Sequence, residues 1–403
     1  MADDRAPAGW PAIGEEAHPW SLGDAATSRT QRRKHSGEYR AATVPAIARQ
    51  RVELPAGLLV EAEEAANTLA RFDAHRALGT ESGPMSAVLL RTESAASSQI
   101  ENLTVGARKL ALAGLGVHTD RNARIVTANV RTMEAALALS REIDRDSVLS
   151  MHHALLADSD PAAAGRWRDQ QVWVGGSALG PHGAMFVPPH HSRVPAAMDD
   201  FFEFAARTDV PGLVHVALAH AQFETIHPFT DGNGRTGRAL VHAMLHRRGL
   251  IRHVTVPLSA GLLVDTPSYF EALTSYRAGD PLPIVRQFID ATFFAVDRGA
   301  RLVARLCEIR DRYRAAVTAR RDSVVWPLID RLPAQPAVDN AYVRASFGVT
   351  DVAAQRAIDR LVDSGVLRAP KSAARNRVWV AEDIIRVLDE FAEGARRVRG
   401  GQR

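Results

Sequence analysis

Between residues 225 and 238 the chain reads Thr225-Ile-His-Pro-Phe-Thr-Asp-Gly-Asn-Gly-Arg-Thr-Gly-Arg238, and these residue types at these spacings suit the handling of phosphate. His227, with an ordinary pKa of about 6.5, can take a proton from a hydroxyl near neutral pH. Asp231 is a hard carboxylate of the kind that holds Mg2+ against phosphate oxygens. Gly232 and Gly234 permit positive φ and close approach, so the N–H groups from Gly232 through Asn233 to Arg235 can converge on an anion at the positive end of a helix. Arg235 and Arg238, three apart, point their guanidinium forks the same way and can hold two phosphoryl groups. Each feature alone is common in turns, caps and solvated faces. Their concentration in twelve residues is not.

Such a loop needs two helices to hold it. Apolar spacing predicts them over 212–226 and 235–248, with Arg247-Arg248 and Gly249 as a stop signal. An apolar stripe at Leu58, Ala62, Ala65, Leu69 and Phe72 starts the helical part of the chain, and further helices are expected over 86–103, 122–143, 146–156, 196–207 and 283–321. Two β-prone runs interrupt this pattern, Gln171-Val172-Trp173-Val174 and Ala184-Met185-Phe186-Val187, separated by a Gly-rich stretch and closed by Pro188-Pro189. They read as a β-hairpin. Residues 1–45, rich in Pro, Gly and Arg, read as an irregular arm.

The 225–238 string resembles the motif of the Fic family, His-Pro-Phe-x-Asp/Glu-Gly-Asn-Gly-Arg-x-x-Arg, at every position. The resemblance extends over residues 35–290. It implies a mainly α fold, an all-helical core with the hairpin as a flap that pairs with an extended protein target. It further implies that His227 is the catalytic base, that Asp231 holds Mg2+, and that Gly232, Asn233, Gly234, Arg235 and Arg238 bind the nucleotide. The activity implied is autoinhibited transfer of AMP from ATP to a Ser, Thr or Tyr hydroxyl of a target protein, with self-modification and the reverse reaction open to the same residues. Phe229 is expected in the core, as an anchor of the loop. Upstream, Ser97-Ser-Gln-Ile-Glu101-Asn102 resembles the family's inhibitory motif, which implies that Glu101 pairs with Arg238 and displaces the γ-phosphate. His242 and His246, four apart, lack the further ligands of a zinc site and read as structural, whereas His190 and His191 follow the flap and are candidates for lining the nucleotide site.

At 403 residues, with 46% hydrophobic and 24% charged residues, the chain can bury a sizeable core, and no apolar run approaches the ~18 residues that would cross a bilayer. A single cysteine, Cys307, and a polar start lead to the expectation of a cytoplasmic protein. Charge is segregated: residues 301–403 carry 20 Lys and Arg against 13 Asp and Glu, leaving 30 against 33 in residues 1–300. In the basic part, helices over 325–332, 340–347 and 351–364 with a hairpin over 368–380 follow the order of a winged helix-turn-helix. Its candidate DNA contacts are Gln355, Arg356, Arg360, Lys371, Arg375 and Arg377, opposed by Asp351, Asp359 and Asp363. The expected organisation is an N-terminal arm (1–45), a helical region with the inhibitory motif (46–120), a catalytic core (121–300), a connecting helix (301–322), a winged-helix domain (323–392) and a flexible tail (393–403). A homodimer is compatible with this plan. The alternative function is a DNA-binding regulator whose core mainly senses nucleotide.

Overall fold

The computed structural model describes residues 9–22, 28–77, 82–117, 120–369 and 377–397. The chain divides into two compact units. One comprises Met1–Ala66, Glu134–Gly249 and Pro267–Ile289, and the other Asn67–Met133, Leu250–Thr266 and Asp290–Arg403.

The N-terminal arm is not irregular. It forms strand β1 (Gly14–Trp20), helix α1 (Arg29–Lys34) and strand β2 (Gly37–Thr43), the strands pairing antiparallel from Gly14↔Thr43 to Trp20↔Gly37. Composition hid this, because the pairing partners lie some 20 residues apart and only Ala41, Ala42 and Tyr39 of β2 are buried. The amphipathic stripe from Leu58 becomes α2 (Ala56–Ala77), followed by α3 (Ser82–Ile100), α4 (Ala107–Gly114), α5 (Arg121–Ala138) and α6 (Arg145–Leu156). A reciprocal cap starts α6: Asp144 accepts from the Ser147 N–H at 2.8 Å and Ser147 Oγ accepts from the Asp144 N–H at 2.9 Å. After a long irregular stretch come α7 (Val194–Ala205), α8 (Gly212–Ile226), α9 (Asn233–Arg247), α10 (Leu258–Val264), α11 (Thr266–Arg277) and the 35-residue α12 (Leu282–Ala316).

In the first unit α8 is the central post. Every residue from Leu213 to Ile226 is buried, the signature of a helix surrounded on all sides. It packs on α7 and α9, and α6 packs on α9. Phe201, Phe204, Phe223 and Phe229 fill the space between them. In the second unit, buried Glu93 of α3 accepts from the N–H and hydroxyl of Ser259 at 2.8 and 2.5 Å. Asp73 takes the N–H groups of Arg252, His253 and Val254 at 2.8–2.9 Å. Carboxylates thus fix α10 and the loop before it.

The basic C-terminal part forms α13 (Val325–Arg331), β3 (Ala337–Val338), α14 (Asn340–Phe347), α15 (Asp351–Asp363), β4 (Trp379–Val380) and α16 (Glu382–Arg397), and residues 370–376 of the hairpin expected over 368–380 lie outside the described residues. Strand β3 pairs with β4, and Arg368 bridges to Val380, completing a small antiparallel sheet. Asp339 caps α14 through the Tyr342 N–H at 2.7 Å, and Gly348 ends it in the left-handed region. The tail expected to be flexible from residue 393 instead continues α16 to Arg397, with Phe391 and Ile385 buried. Among the described residues no helix is long and apolar enough to cross a membrane.

Candidate functional site

Helix α8 ends where the motif begins. His227 takes φ 51°, ψ 61°, the left-handed conformation that closes a helix, and gives its N–H to the Phe223 carbonyl at 2.9 Å. A non-glycine residue held there costs about 1 kcal/mol or more, and the surrounding contacts must supply it. They do so through Arg168, 96% of whose surface is covered. Its Nε donates to the His227 carbonyl at 2.9 Å, and its terminal nitrogens donate to Gln170 O at 3.1 Å and to Pro189 O. The Arg168 N–H reaches the Pro228 carbonyl at 2.9 Å. One buried guanidinium therefore ties His227 to both ends of the 171–187 segment.

The loop is stapled from within. Asn233 Oδ1 accepts from the Phe229 N–H at 2.8 Å while its Nδ2 donates to the Phe229 carbonyl at 2.9 Å, so this side chain shapes the loop. His152 of α6 lies flat on Phe229, ring centroids 3.6 Å apart and planes within 6°. The Gly165 N–H donates to its Nδ1 at 3.0 Å, which places the proton on Nε2, and that proton goes to the Asp231 carbonyl at 3.0 Å. Burial, chiefly, pushes this imidazole down to about 4, so it is neutral in the physiological range. Phe229 is fully buried, as expected of the loop's anchor. Arg168 and His152 escaped sequence reasoning because each acts on main-chain groups of a distant segment. The only signal was their polarity among residues destined for the core.

Gly232 precedes α9 at φ 77°, and a Cβ there would fall 2.7 Å from Leu155 Cδ2. Gly234, by contrast, is helical and needs no positive φ. The first intrahelical bond is Thr236 N–H to Gly232 O at 2.9 Å, which leaves the N–H groups of Asn233, Gly234 and Arg235 without an acceptor inside the helix. These three N–H groups lie at the positive end of a 15-residue helix. Asp231 Oδ1 accepts from the Gly232 N–H at 2.6 Å, and Arg235 approaches the carboxylate at 3.3 Å. Arg238 is buried and bonds to the Tyr269 hydroxyl, which is itself 2.7 Å from His220 Nε2. Burial first, then the cations of Arg277 and Arg168, hold His227 down to about 3.

The hairpin expected over 171–187 is reduced to one bridge, Val174↔Phe186. Val174 gives its N–H to Phe186 O at 2.8 Å and accepts from Met185 N at 2.9 Å, so the main-chain groups of neighbouring Trp173 point to the opposite edge. The other edge is taken: Ala42 of β2 donates to Val187 O at 3.0 Å. Gln171 is consumed internally, its Nε2 donating to Val172 O and Pro188 O at 2.9 Å and its Oε1 accepting from Tyr39 OH at 3.0 Å. Arg277 lies 3.7 Å over the Phe186 ring. Met185, at 80% exposure, projects outward. His190 stacks on His18 of β1 at 4.3 Å, while His246 bonds to Ser140 Oγ at 2.9 Å and His242 is buried in α9.

In the second unit, Ser97 is buried in α3 and Glu101 follows its last residue. The chain turns through Asn102 at φ 63°, and the Leu103 N–H returns to Ser98 O at 3.1 Å. This is a left-handed helix stop, which explains the Asn. An acidic residue at a helix C-terminus opposes the dipole, so Glu101 is not there for helix stability. In α15, Gln355 donates to Asp359 at 2.8 Å and Arg360 to the Thr318 carbonyl, so both candidate contacts have internal partners. Lys371 and Arg375 lie outside the described residues.

The loop between α8 and α9 lies inside a segment, residues 142–245, that matches the Fic/DOC family. Over this segment the chain is similar to the Fic/DOC family. The chain is 32% identical over 162 residues to the protein adenylyltransferase Fic of Nematostella vectensis, covering 39% of this chain and 34% of that protein. It is likewise 32% identical over 148 residues to the protein adenylyltransferase fic-1 of Caenorhabditis elegans, covering 36% of this chain and 26% of that one. It thus spans about a third or less of the length of these curated relatives. A Fic family protein from Desulfovibrio desulfuricans G20 shares the fold at TM-score 0.54 and 18% identity, over 82% of this chain and 97% of that one.

Proposed function

We propose that the protein is an adenylyltransferase that moves AMP from Mg-ATP to a hydroxyl side chain of a protein target. The observation that carries this reading is the unbroken motif at the α8–α9 junction, with His227 fixed in a left-handed turn beside the N-terminus of α9. Neutral His227 accepts the proton of a Ser, Thr or Tyr hydroxyl. The hydroxyl oxygen bonds to the α-phosphorus, the bond from that phosphorus to the bridging oxygen breaks, and pyrophosphate leaves. The depressed pKa keeps the imidazole unprotonated, and the negative phosphates raise it as the proton is taken. The N–H groups of Asn233, Gly234 and Arg235 cradle phosphate oxygens, and the Arg235 and Arg238 guanidiniums neutralise the β and γ ends. Asp231 suits Mg2+: one carboxylate, its side chain 69% exposed, meets the habit of this ion of binding one or two carboxylates plus phosphate. When bound, the ion offsets charge on the phosphates.

The target enters as an extended segment along the free edge of the flap at Trp173, against exposed Met185. Glu101 is the brake, and supplies a second carboxylate for the reverse reaction. The C-terminal part is a winged-helix module. A DNA-binding regulator finds no support in the relatives, whose names are those of protein adenylyltransferases. The test uses purified Glu101→Gly protein with Mg-ATP labelled at the α-phosphate. Label should reach protein, the modified side chain should be identified by mass spectrometry, and His227→Ala in the same background should abolish it. Equal labelling of the two variants would sink the reading.

A further inference from the structure

The N-terminal hairpin is fastened to the flap. Trp20 Nε1 donates to Leu179 O at 3.3 Å, Trp20 packs edge-on against Trp173 at 5.3 Å, Tyr39 bonds to Gln171, and His182 Nε2 lies 3.3 Å from Glu38 O. With Ala42 paired to Val187, flap and hairpin form one continuous surface. At its end sits α1, Arg29-Thr-Gln-Arg-Arg-Lys34, with no buried residue and no acidic one. A reciprocal cap holds it in place: the Gln31 N–H donates to Ser28 Oγ and the Ser28 N–H to Gln31 Oε1, both at 3.2 Å. Arg29, Arg33 and Lys34 are thereby held on an exposed turn, and His35, which follows it, lies edge-on to His182 of the flap at 6.5 Å.

We propose that Arg29, Arg33 and Lys34 form a recognition surface for an acidic protein segment, so that the hydroxyls modified are those set among Asp and Glu. This rests on the reading of the flap as the target-docking element. A polypeptide fits better than a nucleic acid, because the aromatic side chains of the hairpin, Trp20 and Tyr39, are turned into the flap and offer no platform for stacked bases. Main-chain pairing along the flap tolerates any sequence, and a charged extension of it supplies the discrimination that pairing lacks.

The experiment measures fluorescence anisotropy of two labelled peptides without nucleotide, one serine flanked on each side by glutamates and its glutamine counterpart, on the full chain. The acidic peptide should bind about tenfold tighter at low salt, and the advantage should vanish at about 0.5 M NaCl. It should also vanish in the Arg29→Glu/Arg33→Glu/Lys34→Glu variant. Equal binding of both peptides, an advantage that survives charge reversal, or displacement of the acidic peptide by an oligo-dT of equal charge at lower concentration would each overturn the proposal. Transfer of label to the same peptides by the Glu101→Gly protein is measured in parallel. Transfer without acidic preference leaves the adenylyltransferase reading standing and removes this one. Absence of transfer to any protein removes that reading, while the anisotropy still decides this one.

Discussion

Replacing Arg168 by methionine should separate positioning from nucleotide binding. The guanidinium makes three bonds to carbonyls, of His227, Gln170 and Pro189. At ~1.5–3 kcal/mol for each charge-assisted bond they contribute roughly 4.5–9 kcal/mol. Against this stands desolvation: burial pushes the group down to about 10, which at ~1.4 kcal/mol per pH unit costs on the order of 3 kcal/mol. The balance is a net loss of roughly 1.5–6 kcal/mol in Arg168→Met, equivalent to a melting shift of ~3–24 °C for a unit of this size. Differential scanning fluorimetry reads that shift. Steady-state labelling reads the consequence for transfer: kcat should fall by about a hundredfold as His227 and the flap lose their common anchor, while KM for ATP stays within about twofold, since the cradle of α9 is untouched. Arg168→Lys, which keeps the charge and one or two of the carbonyls, should recover part of both losses. A variant that melts with the parent, or whose loss appears wholly in KM for ATP, would refute the reasoning.

Two further expectations concern histidines. His152→Phe keeps the stack on Phe229 but strands the Gly165 N–H and the Asp231 carbonyl; at ~1–3 kcal/mol for each stranded group, it should lower the melting temperature and cut transfer at least about tenfold, measured as above, and full activity would show that the loop holds itself. Burial, first among the causes, depresses His152 and His215 to about 4, and His220 and His227 to about 3. In the unfolded chain these groups titrate near 6.5, so on acidification below that value the unfolded state takes up protons that the folded state refuses. Stability is therefore complete above about pH 6.5 and is lost as pH falls toward 4 and then 3, at up to ~1.4 kcal/mol per histidine per pH unit. Urea midpoints between pH 7.5 and 5 check this, and a midpoint that holds or rises on acidification contradicts it.

The helices α8 and α9 and the loop between them were legible because their information is local: apolar periodicity, Gly249 as a stop, and a dense cluster of chemical side chains. The same is true of α13 to α15, whose caps Asp339, Gly348 and Thr350 lie beside the helices they end. What escaped was non-local. The strand character of residues 14–20 and 37–43 is set by pairing with each other and with Val187, and the short helices α4 and α10 are held by partners such as Asp389, which accepts from the Ala107 N–H at 2.8 Å, and Glu93. Asn233 shows the limit at a single residue. Its place in the motif suggested a ligand for phosphate, whereas both atoms of its amide engage Phe229. The motif thus encodes the shape of a loop as much as the groups that meet a substrate.

The attachment of the first strands to the flap also orders the birth of the molecule. Trp20 and Leu179 are 159 residues apart, and Tyr39 and Gln171 are 132 apart. At synthesis rates of ~5–20 residues per second, the hairpin waits roughly 7–30 s before its docking surface leaves the ribosome. During that interval the outer edge of β2 is uncovered, a liability for mispairing, and closure over so long a loop makes this step slow relative to the local helices. A tag or fusion placed before residue 14 would therefore burden a contact that forms late, and would do so beside the 171–187 segment, where the proposed reading seats the target.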